Sequence, residues 1–255
     1  MGIGSGKKEK DDAAGSVGGP PPRVLLNGES TAFIPIADRG LAYGDGLFET
    51  IGVSASRPEL WDRHMARLET GCARLKFPPP DLESLAREAE KLCNGARLCD
   101  GQERGILKII LTRGGGGRGY RLPDPPAPSR ILSFHPRPDY PDSYAREGVA
   151  VRLCDLRLSA QPALAGLKHL NRLENVLARA EWTEEGIFEG LLRDEDGHII
   201  EGVMSNVFVV RQGALATPGL SRCGSGPPGP GRRCRRSNSP GPGWGYPPAV
   251  CAHPA

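Results

Sequence analysis

Aromatic residues are scarce in this chain, at 5% of the total, and no pair of cysteines stands at zinc-binding spacing. The seven cysteines, at positions 72, 93, 99, 154, 223, 234 and 251, form no C-x-x-C pair and have no histidine partners in register, so no metal site is expected. They read as reduced thiols, as in a cytoplasmic chain. No apolar run approaches the roughly 18 residues of a membrane span. The first residues, MGIGSGKKEKDDAAG, also lack the apolar centre of a signal peptide, so neither a membrane partner nor export is expected. Acid is absent from residues 225–255, which carry Arg232, Arg233, Arg235 and Arg236. The net charge of +3 therefore belongs to the two ends, and the middle is slightly acidic. The arginine run lies among glycine and proline without interleaved aromatics, which argues against a nucleic-acid partner.

What is present is organised between those ends. Residues 1–23 hold Gly, Pro and charge without apolar periodicity and read as a flexible leader. Arg23 to Glu29 reads as a strand entering an Asn-Gly turn, and Gly46 to Val53 as another strand. Met65, Leu68, Cys72 and Leu75 recur at helical spacing from Leu60 to the stop at Pro78. A second helix is predicted from Asp81, its N-cap, to about Leu92, burying Leu82, Leu85, Ala89 and Leu92. Ile106 to Thr112 and Arg130 to His135 read as partner strands across a glycine-rich loop. These segments make a small N-terminal α+β domain over 24–135, followed by a proline-punctuated linker over 136–146.

A larger α/β domain is predicted over 147–224. It has strands at Gly148 to Leu158, Ile187 to Asp194, Ile199 to Glu201 and Asn206 to Arg211. Its helix runs from Asn171 to Glu185, opened by Asn171 and Glu174 as a capping box and burying Leu173, Val176, Leu177 and Ala180. From residue 225 the composition turns to Gly, Pro and Arg, which cannot offset its ordering entropy by burial, so 225–255 reads as a disordered tail.

Lys168 sits in a small-residue loop, Gly166-Leu167-Lys168-His169, between a strand and a helix. Most lysines are solvated, but one at such a junction can be desolvated and act as an amine nucleophile. Five short segments then recur in order. They are Asp38-Arg39-Gly40-Leu41-Ala42-Tyr43-Gly44-Asp45-Gly46-Leu47-Phe48-Glu49-Thr50, His64-Met65-Ala66-Arg67-Leu68, Thr112-Arg113-Gly114 with Arg118-Gly119-Tyr120, Leu167 to Glu174, and Glu201-Gly202 with Ser205-Asn206-Val207-Phe208. Together, over about four fifths of the chain, they resemble the class IV (fold-type IV) pyridoxal-phosphate enzymes, and within them the aminodeoxychorismate lyases.

The resemblance implies a D-amino-acid aminotransferase-like fold and pyridoxal 5'-phosphate as cofactor. It implies that Lys168 holds the cofactor and shuttles the proton, that Glu201 pairs with the pyridine nitrogen, and that Arg67 grips the phosphate. Arg118 and Tyr120 match a substrate-binding loop, and Thr50 a position where the lyases carry threonine, with a hydroxyl able to assist proton transfer. The activity implied is conversion of 4-amino-4-deoxychorismate to 4-aminobenzoate and pyruvate in folate biosynthesis, by a homodimer in the cytoplasm. The same motifs admit a D-amino-acid or branched-chain aminotransferase, and the break after Gly224 admits an inactive remnant. That break is what a shifted reading frame in a GC-rich gene would produce. It implies loss of the helix N-terminus that cradles the phosphate in this family, and hence weak cofactor binding.

Overall fold

The computed structural model describes residues 23–100, 104–211 and 214–227. The leader and most of the tail predicted from sequence lie outside these residues. β1 (Arg23–Leu26) turns through Asn27 and Gly28, at φ 51° and 88°, into β2 (Glu29–Ser30). An Asn-Gly pair supplies that left-handed backbone at low cost, so the hairpin forms where the sequence predicts it. A five-residue helix, α1 (Arg39–Tyr43), follows; the Asp38 carboxylate accepts from the Gly40 N–H at 2.8 Å, and Gly44 ends the helix at φ 64°. One turn is too short to show periodicity, which is why α1 was not legible in the sequence.

β3 (Gly46–Ser54) and β4 (Arg57–Pro58) precede two helices, α2 (Trp61–Arg74) and α3 (Leu82–Asp100). β5 (Gly105–Thr112) and β6 (Ser129–Pro136) complete a six-stranded antiparallel sheet in the order β2-β1-β6-β5-β3-β4. Alternation places Leu47, Ile51 and Val53 of β3, Leu107, Ile109 and Leu111 of β5, and Leu132 and Phe134 of β6 on one face. Met65, Leu68 and Cys72 of α2 and Leu85, Ala89 and Leu92 of α3 cover that face and are buried with it, as their spacing predicts. Asp81 caps α3 by accepting from the Ser84 N–H at 3.0 Å.

The predicted linker contains a short helix, α4 (Ser143–Glu147), and then β7 (Ala150–Leu158) begins. After α5 (Leu173–Arg179) come β8 (Ile187–Asp194), β9 (Ile199–Gly202), β10 (Val209–Arg211) and β11 (Ala214–Ala216). β7 pairs parallel to β8, and β9 antiparallel to it. Cys154, Leu158, Ala178, Trp182, Leu192 and Ile200 form the second core.

Here the expectations for α5 are corrected. The helix spans seven residues, and Leu173, Val176 and Leu177 are 75%, 60% and 60% exposed. Ala178 is buried instead, because its small side chain allows close approach to Cys154 and Trp182. An apolar stripe specifies a face that seeks cover without specifying its cover. The capping box does not form either: Glu174 accepts from the Ser159 N–H at 2.9 Å, and Asn171 reaches back to the Gly44 carbonyl at 3.4 Å.

The segment from Gly166 to Leu170 bridges the two cores. The Phe48 N–H donates to the Lys168 carbonyl at 2.9 Å and the Leu170 N–H to the Gly46 carbonyl at 3.0 Å. Along the same segment, the Gly166 N–H donates to the Gly224 carbonyl at 2.8 Å, and the Gly226 N–H to the Gly166 carbonyl at 3.3 Å. Ser225 and Gly226 are thus built into the fold, two residues past the boundary drawn from composition. The contact with β3 is tight: a Cβ at Gly46 would stand 2.6 Å from the Leu111 carbonyl oxygen and 2.6 Å from Leu170 Cδ1. Gly46→Ala should therefore lower stability by about 1–3 kcal/mol, read from urea unfolding; an unchanged midpoint would contradict this packing.

Candidate active site

Lys168 lies on that joining segment, and the backbone bonds on either side leave its side chain directed over the Phe48 ring, with Nζ 4.5 Å from the centroid. Gly166, two residues before it, adopts φ 76°, a left-handed conformation that sets the course of the segment. The amine makes no hydrogen bond or ion pair among the described residues. Burial pushes its pKa down to about 8, and the positive charge of Arg67 adds to the effect. A lysine in that state supplies a neutral amine near physiological pH.

Arg67 projects from α2 into the same pocket, which is lined by Phe48, Glu49, Arg67, Arg74, Gly166 and Lys168 among others. Its Nε donates to Glu49 at 2.7 Å, its Nη2 also donates to Glu49, and its Nη1 donates to the Gly226 carbonyl at 2.6 Å. His64 Nδ1 stands 2.7 Å from the same carboxylate. Burial would raise the pKa of Glu49, yet the bonds from Arg67 and His64 outweigh it and hold the carboxyl below its usual range. Glu49 thus fixes Arg67 from one side while a further N–H on Nη1 remains for an anion. Arg74 lines the pocket too, anchored by the carbonyls of Pro162, Ala163 and Ala165.

Glu201 is buried at the end of β9, and its carboxylate accepts from the Ser225 N–H at 2.6 Å. Burial raises its pKa, partly opposed by that bond and by the charges of Arg172 and Lys168. A buried carboxylate in this condition is stabilised by a cationic partner such as a protonated ring nitrogen. Next to it, Glu189 is buried and receives the Met204 N–H at 3.1 Å and the Ser205 hydroxyl at 2.8 Å, which holds the turn after β9.

Thr50 alternates with Glu49 along β3, so it shares the Phe48 face and is half-buried. Arg118 and Tyr120 lie on the loop between β5 and β6. Arg118 is exposed, and Tyr120 is 83% exposed with its ring 5.3 Å from that of Tyr43. No hydrogen bond or ion pair joins either to Lys168, Arg67 or Glu201 among the described residues. Their loop is held by Arg39, whose Nη1 donates to the Gly119 carbonyl at 2.9 Å and whose Nε donates to Asp45.

Sequence reasoning gave no role to Glu49, although a signal was present. It is a charged residue at an inward position between Leu47 and Ile51, and such a position requires a buried partner. A half-buried amine with no hydrogen bond or ion pair among the described residues, beside an arginine-lined pocket and with a desolvated carboxylate nearby, fits a small anionic aldehyde whose ring nitrogen carries a proton. Among the described residues, the carboxylates and imidazole of Asp194, Asp196 and His198 approach one another at the β8–β9 turn, away from this pocket's lining.

The family model of amino-transferase class IV matches residues 46–226. An aminodeoxychorismate lyase from Vibrio harveyi is 36% identical over 208 residues, covering 82% of this chain and 74% of the relative. The crystal structure of 4-amino-4-deoxychorismate lyase from Pseudomonas aeruginosa is 48% identical with a TM-score of 0.74, over 79% of this chain and 72% of that one. A hypothetical aminotransferase from Mycobacterium tuberculosis, in its PLP-bound form, aligns at 26% identity and a TM-score of 0.64, over 77% of this chain and 70% of that one.

Removing the buried anion should strand Arg67. Glu49→Gln is expected to cost about 3–5 kcal/mol of stability, measured by chemical denaturation at neutral pH. A loss below about 1 kcal/mol, the range of an exposed pair, would show that the carboxylate does not carry this network.

Proposed function

We propose the function from one premise: the chain belongs to the amino-transferase class IV family. It is a pyridoxal-phosphate-dependent lyase that converts 4-amino-4-deoxychorismate to 4-aminobenzoate and pyruvate. The observation that carries this reading is the 48% identity to the Pseudomonas aeruginosa lyase over 79% of this chain. The reading extends to a cytoplasmic homodimer that supplies 4-aminobenzoate for folate synthesis. In support of the second copy, Leu173, Val176, Leu177 and Met204 offer exposed apolar surface.

In this reading Lys168 would hold the cofactor covalently, Arg67 would take its phosphate and Glu201 would face its ring nitrogen. The bound cofactor supplies an electron sink for the carbon that carries the substrate nitrogen. Lys168, with its amine free, would take the proton from that carbon. Its lowered pKa keeps the amine neutral enough to do so. The adjacent carbon–oxygen bond then breaks, and the enolpyruvyl group leaves and is protonated to pyruvate. Aromatisation of the ring drives the departure. Thr50, on the Phe48 face, would assist the proton transfer, and Arg118 with Tyr120 would meet the substrate carboxylates. The Phe48 ring lies against the amine, with its centroid 4.5 Å from Nζ.

Full-length protein given pyridoxal phosphate should release pyruvate from 4-amino-4-deoxychorismate with no keto acid added. Lys168→Ala should lower that rate by at least ~100-fold and abolish the visible absorbance of the bound cofactor. The neutral amine is the attacking form, so cofactor capture should accelerate about tenfold per pH unit below about 8 and level off above it. Product formed only when a keto acid is supplied would favour an aminotransferase. Absence of both capture and turnover in the wild type would favour an inactive remnant.

A further inference from the structure

Arg172 has no role in the reading above, yet its guanidinium reaches both ends of the site. Its Nε donates to the His169 carbonyl at 2.8 Å and its Nη2 to the Leu167 carbonyl at 3.3 Å, the two residues that flank Lys168. Its Nη1 donates to the Ser225 hydroxyl at 2.8 Å. Ser225 in turn gives its backbone N–H to Glu201. The guanidinium carbon also lies 5.7 Å from the centroid of the Phe48 ring, over which Lys168 sits.

We propose that Arg172 is a positioning residue that holds Lys168 and Glu201 in one fixed register, by gripping the peptide groups on both sides of Lys168 and, through Ser225, the backbone that binds Glu201. The proposal rests on the reading of Lys168 and Glu201 as the cofactor residues. Four acceptors surround this one side chain, Asn175 Oδ1 at 3.5 Å from Nη1 being the fourth, and the planar fork of arginine serves them together, whereas an ammonium group on a flexible stem would not. Its charge acts in the same sense as its geometry. A cation there opposes protonation of Lys168 and favours ionised Glu201, so loss of Arg172 moves the two groups away from their working states together.

Other charges also face Lys168. They are Arg67 from α2, Glu49 from β3 and Glu201 from β9, and Lys108 of β5 shares the Phe48 ring at 5.8 Å. Burial and Arg67 remain when Arg172 is removed, so the change should be partial rather than a return to an ordinary lysine.

Trace acetylation of the full chain with acetic anhydride between about pH 6 and 11, with the Lys168 peptide quantified by mass spectrometry, reads the amine directly and needs no cofactor. Wild-type Lys168 should reach half its limiting reactivity at about pH 8. Arg172→Leu should raise that midpoint by about one unit, and Ser225→Ala by less. The two together should shift it no further than Arg172→Leu alone, because both break the same link. A midpoint unchanged in folded Arg172→Leu, or shifts that add in the double variant, would overturn the proposal. Should Arg172→Leu fail to fold, Ser225→Ala decides alone: it removes one hydroxyl, and an unmoved midpoint overturns the proposal. Failure of the wild type to take up pyridoxal phosphate would overturn the functional reading and leave this comparison intact.

Discussion

The segment from Gly166 to Leu170 is the constraint on which the site depends. It hydrogen-bonds to the start of β3 along Lys168 and Leu170, and to Gly224 and Gly226 through Gly166. Backbone bonds on both sides hold its path with little freedom to shift. One lysine side chain is thereby delivered over Phe48, between the arginine of α2 and the carboxylate of β9. The six-stranded sheet supplies the floor, and the three-stranded sheet supplies Glu201. Neither core alone builds the site.

Electrostatics around the segment are arranged by burial and corrected by pairing. Burying a charge is costly, so each buried group here either acquires a partner or gives up its charge. Glu49 keeps its charge through Arg67 and His64, and Lys168, with no hydrogen bond or ion pair among the described residues, is shifted toward its neutral form. Glu201 stands between, desolvated but supported by the Ser225 N–H and by the charge of Arg172. The asymmetry is chemically useful. A pocket with a readily deprotonated amine, a fixed guanidinium and a carboxylate seeking a cation matches the functional groups of a phosphorylated pyridine aldehyde.

Much of this was legible before any coordinates, because the elements that matter are local. The Asn27-Gly28 turn, the stripe of α2, the Asp81 cap and the alternation of β3 and β5 each follow from short-range chemistry, and the fold realises them. The motif around Lys168 also fixed its neighbourhood. The failures were in what depends on distant partners. Sequence periodicity placed Leu173, Val176 and Leu177 against the core, while packing chose Ala178 and Trp182. Glu174 has the spacing of a cap for its own helix and instead accepts from the N–H of Ser159, just past the end of β7. Composition drew the edge of the fold at Gly224, yet the backbone of Ser225 completes the Glu201 site. A serine beside prolines and glycines carries no sign of that contact until the segment at Gly166 is seen opposite it.

The course of the Gly166 to Leu170 segment should single out Lys168 among the lysines as the residue that bonds the cofactor. Borohydride reduction of the full chain in the presence of pyridoxal phosphate, followed by peptide mapping, tests it most directly. The account predicts a single pyridoxyl-phosphate adduct, on Lys168. Adducts spread over exposed lysines such as Lys76 and Lys91, with Lys168 unmodified, would contradict it.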